Sequence, residues 1–150
     1  MAKLFDRITV NPEVCMGQPT IRGMRITVAF VLKLLASGMT HEEILKAYPE
    51  LEEEDIHQTI EYAAWLELAV DAARAAGDII RRGMSDALDI RYKGAINLVT
   101  QIDVASERAV VERLRAQTPQ HDILAEEGSN RTSGAPYRWV IDPLDGTTNY

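Results

Sequence analysis

A single cysteine, Cys15, stands among 150 residues, so no internal disulfide can staple this chain. That suits a reducing compartment, and the cytoplasm is the expected location. The N-terminus, MAKLFDRITV, lacks the apolar core of a signal peptide. No run approaches the roughly 18 apolar residues of a membrane span. Basic residues are in deficit, 16 Lys and Arg against 23 Asp and Glu, for a net charge of −7. Such a balance argues against a nucleic-acid binder, which presents a basic face. Internal repeats and low-complexity tracts are missing too. Residues 53–82 hold no proline and only one glycine, Gly77.

What is present reads as two unlike halves, 1–65 and 66–150. Residues 7–10 and 25–31 are apolar and β-branched, with a turn-rich stretch between them from Asn11-Pro12 to Gly23. They predict a small hairpin or two short extended pieces. From Val28 the apolar spacing turns helical, through Phe30, Val31, Leu34 and Leu35, and Gly38 sits where a helix C′ glycine belongs. Thr40 and Glu43 have capping-box spacing, and Pro49 ends the short helix they begin. Glu52, Glu53, Glu54 and Asp55 suit the first turn of a following helix through the macrodipole. Apolar positions Ile56, Ile60, Leu68, Ala72, Ala76 and Ile80 then recur every three or four residues, predicting one long helix to about Arg82. No flexible linker marks the boundary between the halves.

Beyond Gly83 the residues read as a polar loop, then a short extended piece at Asn97-Leu98-Val99-Thr100. Residues 104–116 predict an amphipathic helix with Ala105, Ala109, Val110, Val111 and Leu114 inside. Residues 121–125 and 139–141 read as two buried strands, the second running straight into Asp142. Its sequel is Asp142-Pro143-Leu144-Asp145-Gly146-Thr147-Thr148-Asn149. Two carboxylates three residues apart at a strand end can converge on one point, and open α/β sheets bind ligands at such ends. Gly146 lets backbone amides approach an anion, and a helix starting near Thr147 would aim free N–H groups at phosphate. Glu126-Glu127 supplies a further carboxylate after the preceding strand. Hard oxygen ligands of this kind suit Mg²⁺.

The segments Lys93-Gly94, Asn97 to Thr100 with Asp103, Leu124-Ala125-Glu126-Glu127-Gly128 and Trp139 to Asn149 resemble the inositol monophosphatase family. The resemblance covers about residues 66–150. It implies a layered α/β phosphatase fold and a Mg²⁺ site with Glu126, Asp142, Asp145 and the Leu144 carbonyl as ligands. Glu126, Thr147 and Asp103 become the catalytic group, orienting and activating the attacking water. Gly146 and Thr147 amides would hold phosphate, with Lys93 neutralising charge. The substrate implied is a phosphate monoester of the inositol type. Members of that family run well beyond the point where this chain stops. The expected consequences are weak Mg²⁺ binding, an exposed sheet edge prone to self-association, and little or no phosphatase activity from this chain alone.

In the first half, Ile8, Asn11-Pro12, Pro19 to Gly23, Arg25 to Val28, Glu42 to Leu45, Tyr48-Pro49 and Asp55-Ile56 resemble a small bacterial family of unknown function, similar to antitoxin-type helix-turn-helix proteins. The resemblance implies a protein partner, and DNA contact only through Arg22 and Arg25. The acids at 52–55 oppose DNA, and a structural salt bridge is the favoured reading of both arginines. The alternative overall reading is thus an antitoxin-like binding module with a passive phosphatase half. His41, His57 and His121 read as scattered exposed polar positions.

Overall fold

The computed structural model describes residues 5–89 and 95–143, with side chains placed in 5–83 and 101–143. Its elements in chain order are β1 (Ile8–Thr9), β2 (Thr20–Ile21), α1 (Val28–Ala36), α2 (His41–Ala47), α3 (Glu53–Asp89), α4 (Ala95–Gln117), β3 (Asp122–Ala125) and β4 (Arg138–Ile141). The architecture is mixed helix and strand, of α+β type. Two compact units divide it, Met1–Leu66 and Glu67–Tyr150, and the boundary falls inside α3.

The first unit gathers its core from Ile21, Val28, Val31, Ile44, Leu51 and Ile56. Local chemistry sets the helix ends. The Thr27 hydroxyl accepts from the Phe30 N–H at 3.1 Å to start α1, and Gly38 leaves it at φ +89°. Thr40 and Glu43 close the expected capping box on α2. Asp55, three residues after Glu52, accepts the Glu52 N–H at 2.8 Å and so caps α3 from within its first turn. The hairpin differs from the sequence expectation. β1 pairs antiparallel with Thr20–Ile21, inside the stretch read as turn, while Thr27 makes only an isolated bridge to Thr20 before α1 begins. Two effects choose this pairing. Ile21 is fully buried, and the Thr9 and Thr20 hydroxyls hydrogen-bond across the strands at 3.1 Å.

The second unit packs Leu68, Ala72 and Ala76 of α3 and Val110, Val111 and Leu114 of α4 against Ile123, Ala125 and Ile141 of the sheet. α3 is one continuous helix, as its lack of breakers predicts, but it runs through the expected loop to Asp89. The expected extended piece at 97–100 is helical, the first turns of α4. Gly83 explains the first misreading. It is not a stop but a contact point: a Cβ there would collide with the Ile102 side chain of α4. The strand tendency of Leu98 and Val99 is weak enough for such context to override. Ile60 is exposed rather than buried, and His121 is buried rather than exposed, packed against Tyr137 and Trp139. Ala105 is exposed also, and the inner face of α4 is completed by polar Asp103, Ser106 and Glu107 instead. β3 and β4 pair in parallel, Asp122 with Arg138 through Ala125 with Ile141. Ile123 and Ala125 are buried while Leu124 and Val140 are exposed, so one face of this two-stranded sheet is covered.

Candidate active site

The register decides the site. Because Ala125 lies opposite Ile141 in a parallel pair, the next residue of each chain, Glu126 and Asp142, leaves the same end of the sheet side by side. The Glu126 carboxyl is pushed above the usual glutamate range. The charge of Asp142 is the largest cause, followed by loss of water contact, a hydrogen bond with Asp142, and the charges of Glu127 and Asp103. Asp103 comes from α4, with only 4% of its surface exposed. The charges of Asp142 and of Asp103 from α4 therefore both act on Glu126 at one sheet end.

Their support is a residue that sequence reasoning missed. Glu107 lies one turn after Asp103 on α4 and is 1% exposed. Its carboxylate accepts the Glu127 N–H at 2.5 Å and the Ser129 N–H at 3.1 Å, pinning the chain directly after Glu126. Asn130 adds a bond from the Ala125 N–H to its side-chain oxygen at 2.8 Å, and Arg115 donates to the Ser129 carbonyl at 2.9 Å. The signal available in sequence was a pair of acids at i and i+4 on a helix whose apolar stripe was too narrow. Asp122, at the other end of β3, holds the connecting loop. Its Oδ1 accepts the Ser133 N–H and hydroxyl at 2.7 and 2.8 Å, and its Oδ2 accepts the Gly134 N–H at 3.2 Å. These bonds, that from the Ser133 N–H foremost, hold the Asp122 carboxyl below the ordinary aspartate range against the opposing effect of burial.

An open groove of about 390 Å³ runs beside this end, lined by small residues of α3 such as Ala73 and Gly77, by Trp139 and Val140, and by Asp142. Its lining is mostly apolar and carries no basic side chain, so it is not the place for a phosphate. Leu144, Asp145, Gly146, Thr147 and Lys93, expected at the site, lie outside the described residues. Arg22 and Arg25 belong to the other unit. Arg22 is occupied as the sequence suggested: its Nε and Nη2 donate to the buried Asp55 at 3.1 and 2.9 Å, and Nη2 also to the Glu50 carbonyl at 2.6 Å. Arg25 is exposed.

Residues 61–150 match the inositol monophosphatase family. The chain belongs to that family. Residues 8–63 match a second one, described as a protein of unknown function (DUF433). Among similar proteins are the Nus factor SuhB of Pseudomonas aeruginosa, 44% identical over 90 residues, and that of Escherichia coli, 42% identical over 88. The inositol monophosphatase 1 of Solanum lycopersicum is 39% identical over 90 residues. In each case the match takes in 57% of this chain and 33% of the relative, so the chain spans about a third of the length of these inositol monophosphatase family relatives. No helix among the described residues is long and apolar enough to cross a membrane.

Proposed function

We propose that the unit Glu67–Tyr150 serves Mg²⁺-dependent hydrolysis of a phosphate monoester, of the inositol phosphate type. The supporting observation is the parallel register that sets Glu126 beside Asp142, with Asp103 close enough to raise the same carboxyl. The donor set fits the ion. All three groups offer hard oxygens, and their mutual repulsion is a charge imbalance that a divalent cation relieves.

Glu126 and Asp142 serve as Mg²⁺ ligands in this reading, with Asp145 and the Leu144 carbonyl carried over from the family resemblance. When bound, Mg²⁺ neutralises charge on the phosphoryl oxygens and acidifies the attacking water. The chain's own residues do the rest. Glu126 orients the attacking water and accepts its proton through a carboxylate oxygen. Asp103 orients Thr147, whose hydroxyl holds that water, while Gly146 and Thr147 amides and Lys93 hold the phosphate. Water oxygen bonds to phosphorus, the ester P–O bond breaks, and the alcohol leaves with the proton that Glu126 took. Glu107 is a positioning residue that fixes the backbone behind Glu126.

Mg²⁺ titration by calorimetry in the presence of inorganic phosphate tests the reading. Asp142→Asn, with unchanged circular dichroism, is expected to weaken Mg²⁺ by at least about tenfold, as losses at metal sites do. Phosphate release from inositol 1-phosphate, where measurable, is expected to vanish with it. Full Mg²⁺ affinity in an Asp142→Asn, Glu126→Gln double variant would place the ion elsewhere and end the proposal.

A further inference from the structure

The first unit holds a second group of potential ligands, of different chemistry. His41 opens α2, and Glu53 and His57 lie one turn apart at the start of α3. Sequence spacing scatters the two histidines, but the fold joins them. The Thr40–Glu43 capping box fixes where α2 begins. Buried Ile44, Leu51 and Ile56 then lock the turn between α2 and α3. His41 Nδ1 comes within 2.5 Å of Glu53 Oε1, and His57 Nε2 within 3.4 Å of the same oxygen. The two imidazole rings meet edge to face, 5.8 Å between centroids.

One donor atom from each of the three side chains lies within 4.8 Å of the other two. A tetrahedral Zn²⁺ with ligands at about 2.0–2.2 Å holds its donors about 3.3 Å apart. The observed spacings straddle that value. All three side chains are partly exposed, between 35% and 57%, so small rotamer changes on a fixed backbone close the difference. We infer that His41, Glu53 and His57 form a binding site for a divalent transition-metal ion of the Zn²⁺ class, with water completing the coordination.

Two imidazoles and one carboxylate favour borderline metals over Mg²⁺, which prefers oxygen alone. The surrounding charge agrees. Residues 41–57 carry seven acids against one base, Lys46; Glu52 and Asp55 are paired with Arg7 and Arg22, which leaves Glu42, Glu43, Glu50, Glu53 and Glu54 as the local acidic excess. The positive end of the α3 dipole opposes a cation there, but that effect is confined to one turn and is outnumbered. Glu54 Oε2 stands 3.9 Å from His57 Nδ1, the ring nitrogen not facing Glu53, which adds negative charge beside the ring without a hydrogen bond to it. The oxygen-only centre at Glu126 and Asp142 is chemically distinct, which lets one experiment separate them.

The tag-free full chain is titrated with Zn²⁺ by calorimetry in excess Mg²⁺, which occupies the carboxylate centre. One equivalent of Zn²⁺ is expected to bind. His41→Ala and His57→Ala are each expected to weaken it by at least about 10- to 100-fold, the loss that even an outer-shell partner causes. Asp142→Asn is expected to leave it intact. Co²⁺ in place of Zn²⁺ is expected to give visible absorption bands of a low-symmetry nitrogen-ligated site, abolished in the histidine variants. Circular dichroism checks that each variant folds, and Glu53→Gln, which keeps the side chain's shape, repeats the test without a histidine change. Zn²⁺ binding that survives both histidine replacements, or no Zn²⁺ binding by the parent chain in excess Mg²⁺, overturns the inference.

Discussion

Replacing Asp55 with alanine removes a carboxylate whose side chain is 1% exposed and which satisfies three neighbours at once. The Glu52 N–H loses its cap at 2.8 Å, a loss of about 1 kcal/mol. Arg22 loses two charge-assisted bonds, at 3.1 and 2.9 Å. Such bonds contribute about 1.5–3 kcal/mol each when desolvated. The Arg22 side chain is 34% exposed, however, so water recovers much of its guanidinium once Asp55 is gone. A contribution of about 1–2 kcal/mol for the pair is therefore appropriate. Arg7, 3.1 Å from Asp55 Oδ1, acts in the same direction. The sum, about 2–3 kcal/mol, corresponds to a drop of roughly 10–20 °C in the melting of a unit the size of Met1–Leu66. Trp65, packed on Phe5 in this unit, reports the transition by fluorescence in a Trp139→Phe background. Asp55→Asn keeps an oxygen for the Glu52 N–H but loses the charge, so it falls between the two. A drop below about 3 °C for Asp55→Ala, or equal drops for Asn and Ala, refutes the division of labour between cap and ion pair.

Two further predictions concern the second unit. Asp122 is held below the ordinary aspartate range, so its stabilising effect is complete above the unfolded aspartate value and is lost as pH falls through the lower, folded one. Melting of this unit is expected to fall on acidification below about pH 4, less steeply in Asp122→Asn, and parallel curves for the two proteins would contradict the assignment. Leu114, 2% exposed between α3, α4 and the sheet, is expected to cost about 2–5 kcal/mol on replacement by alanine, read from the urea midpoint of the unit.

Local signals carried much of this fold because their physics is local. The capping box at Thr40 and Glu43, the glycine exit at Gly38, the acidic first turn of α3 and its unbroken length all depend on residues within one or two turns, so they were readable from the chain. The expectations that failed concern residues whose state is set from afar. Gly83 reads as a break until Ile102 is laid against it, and Thr20–Ile21 reads as turn until Thr9 and the core claim it. Glu107 reads as a surface glutamate until two backbone N–H groups from the β3 exit are brought to it.

The sequence by itself determined the helices α1 to α3, the two strands of the second unit and the acidic signature after each of them, since capping, apolar spacing and the carboxylates at Glu126 and Asp142 are properties of the chain. Tertiary structure alone decided that these two carboxylates lie abreast. That depends on β3 and β4 pairing in parallel with Ala125 opposite Ile141, and a shift of one residue would turn alternate side chains to the other face. It alone brought His41 to Glu53 and His57, because contact between residues distant in the chain comes from packing, and packing is a property of the folded whole.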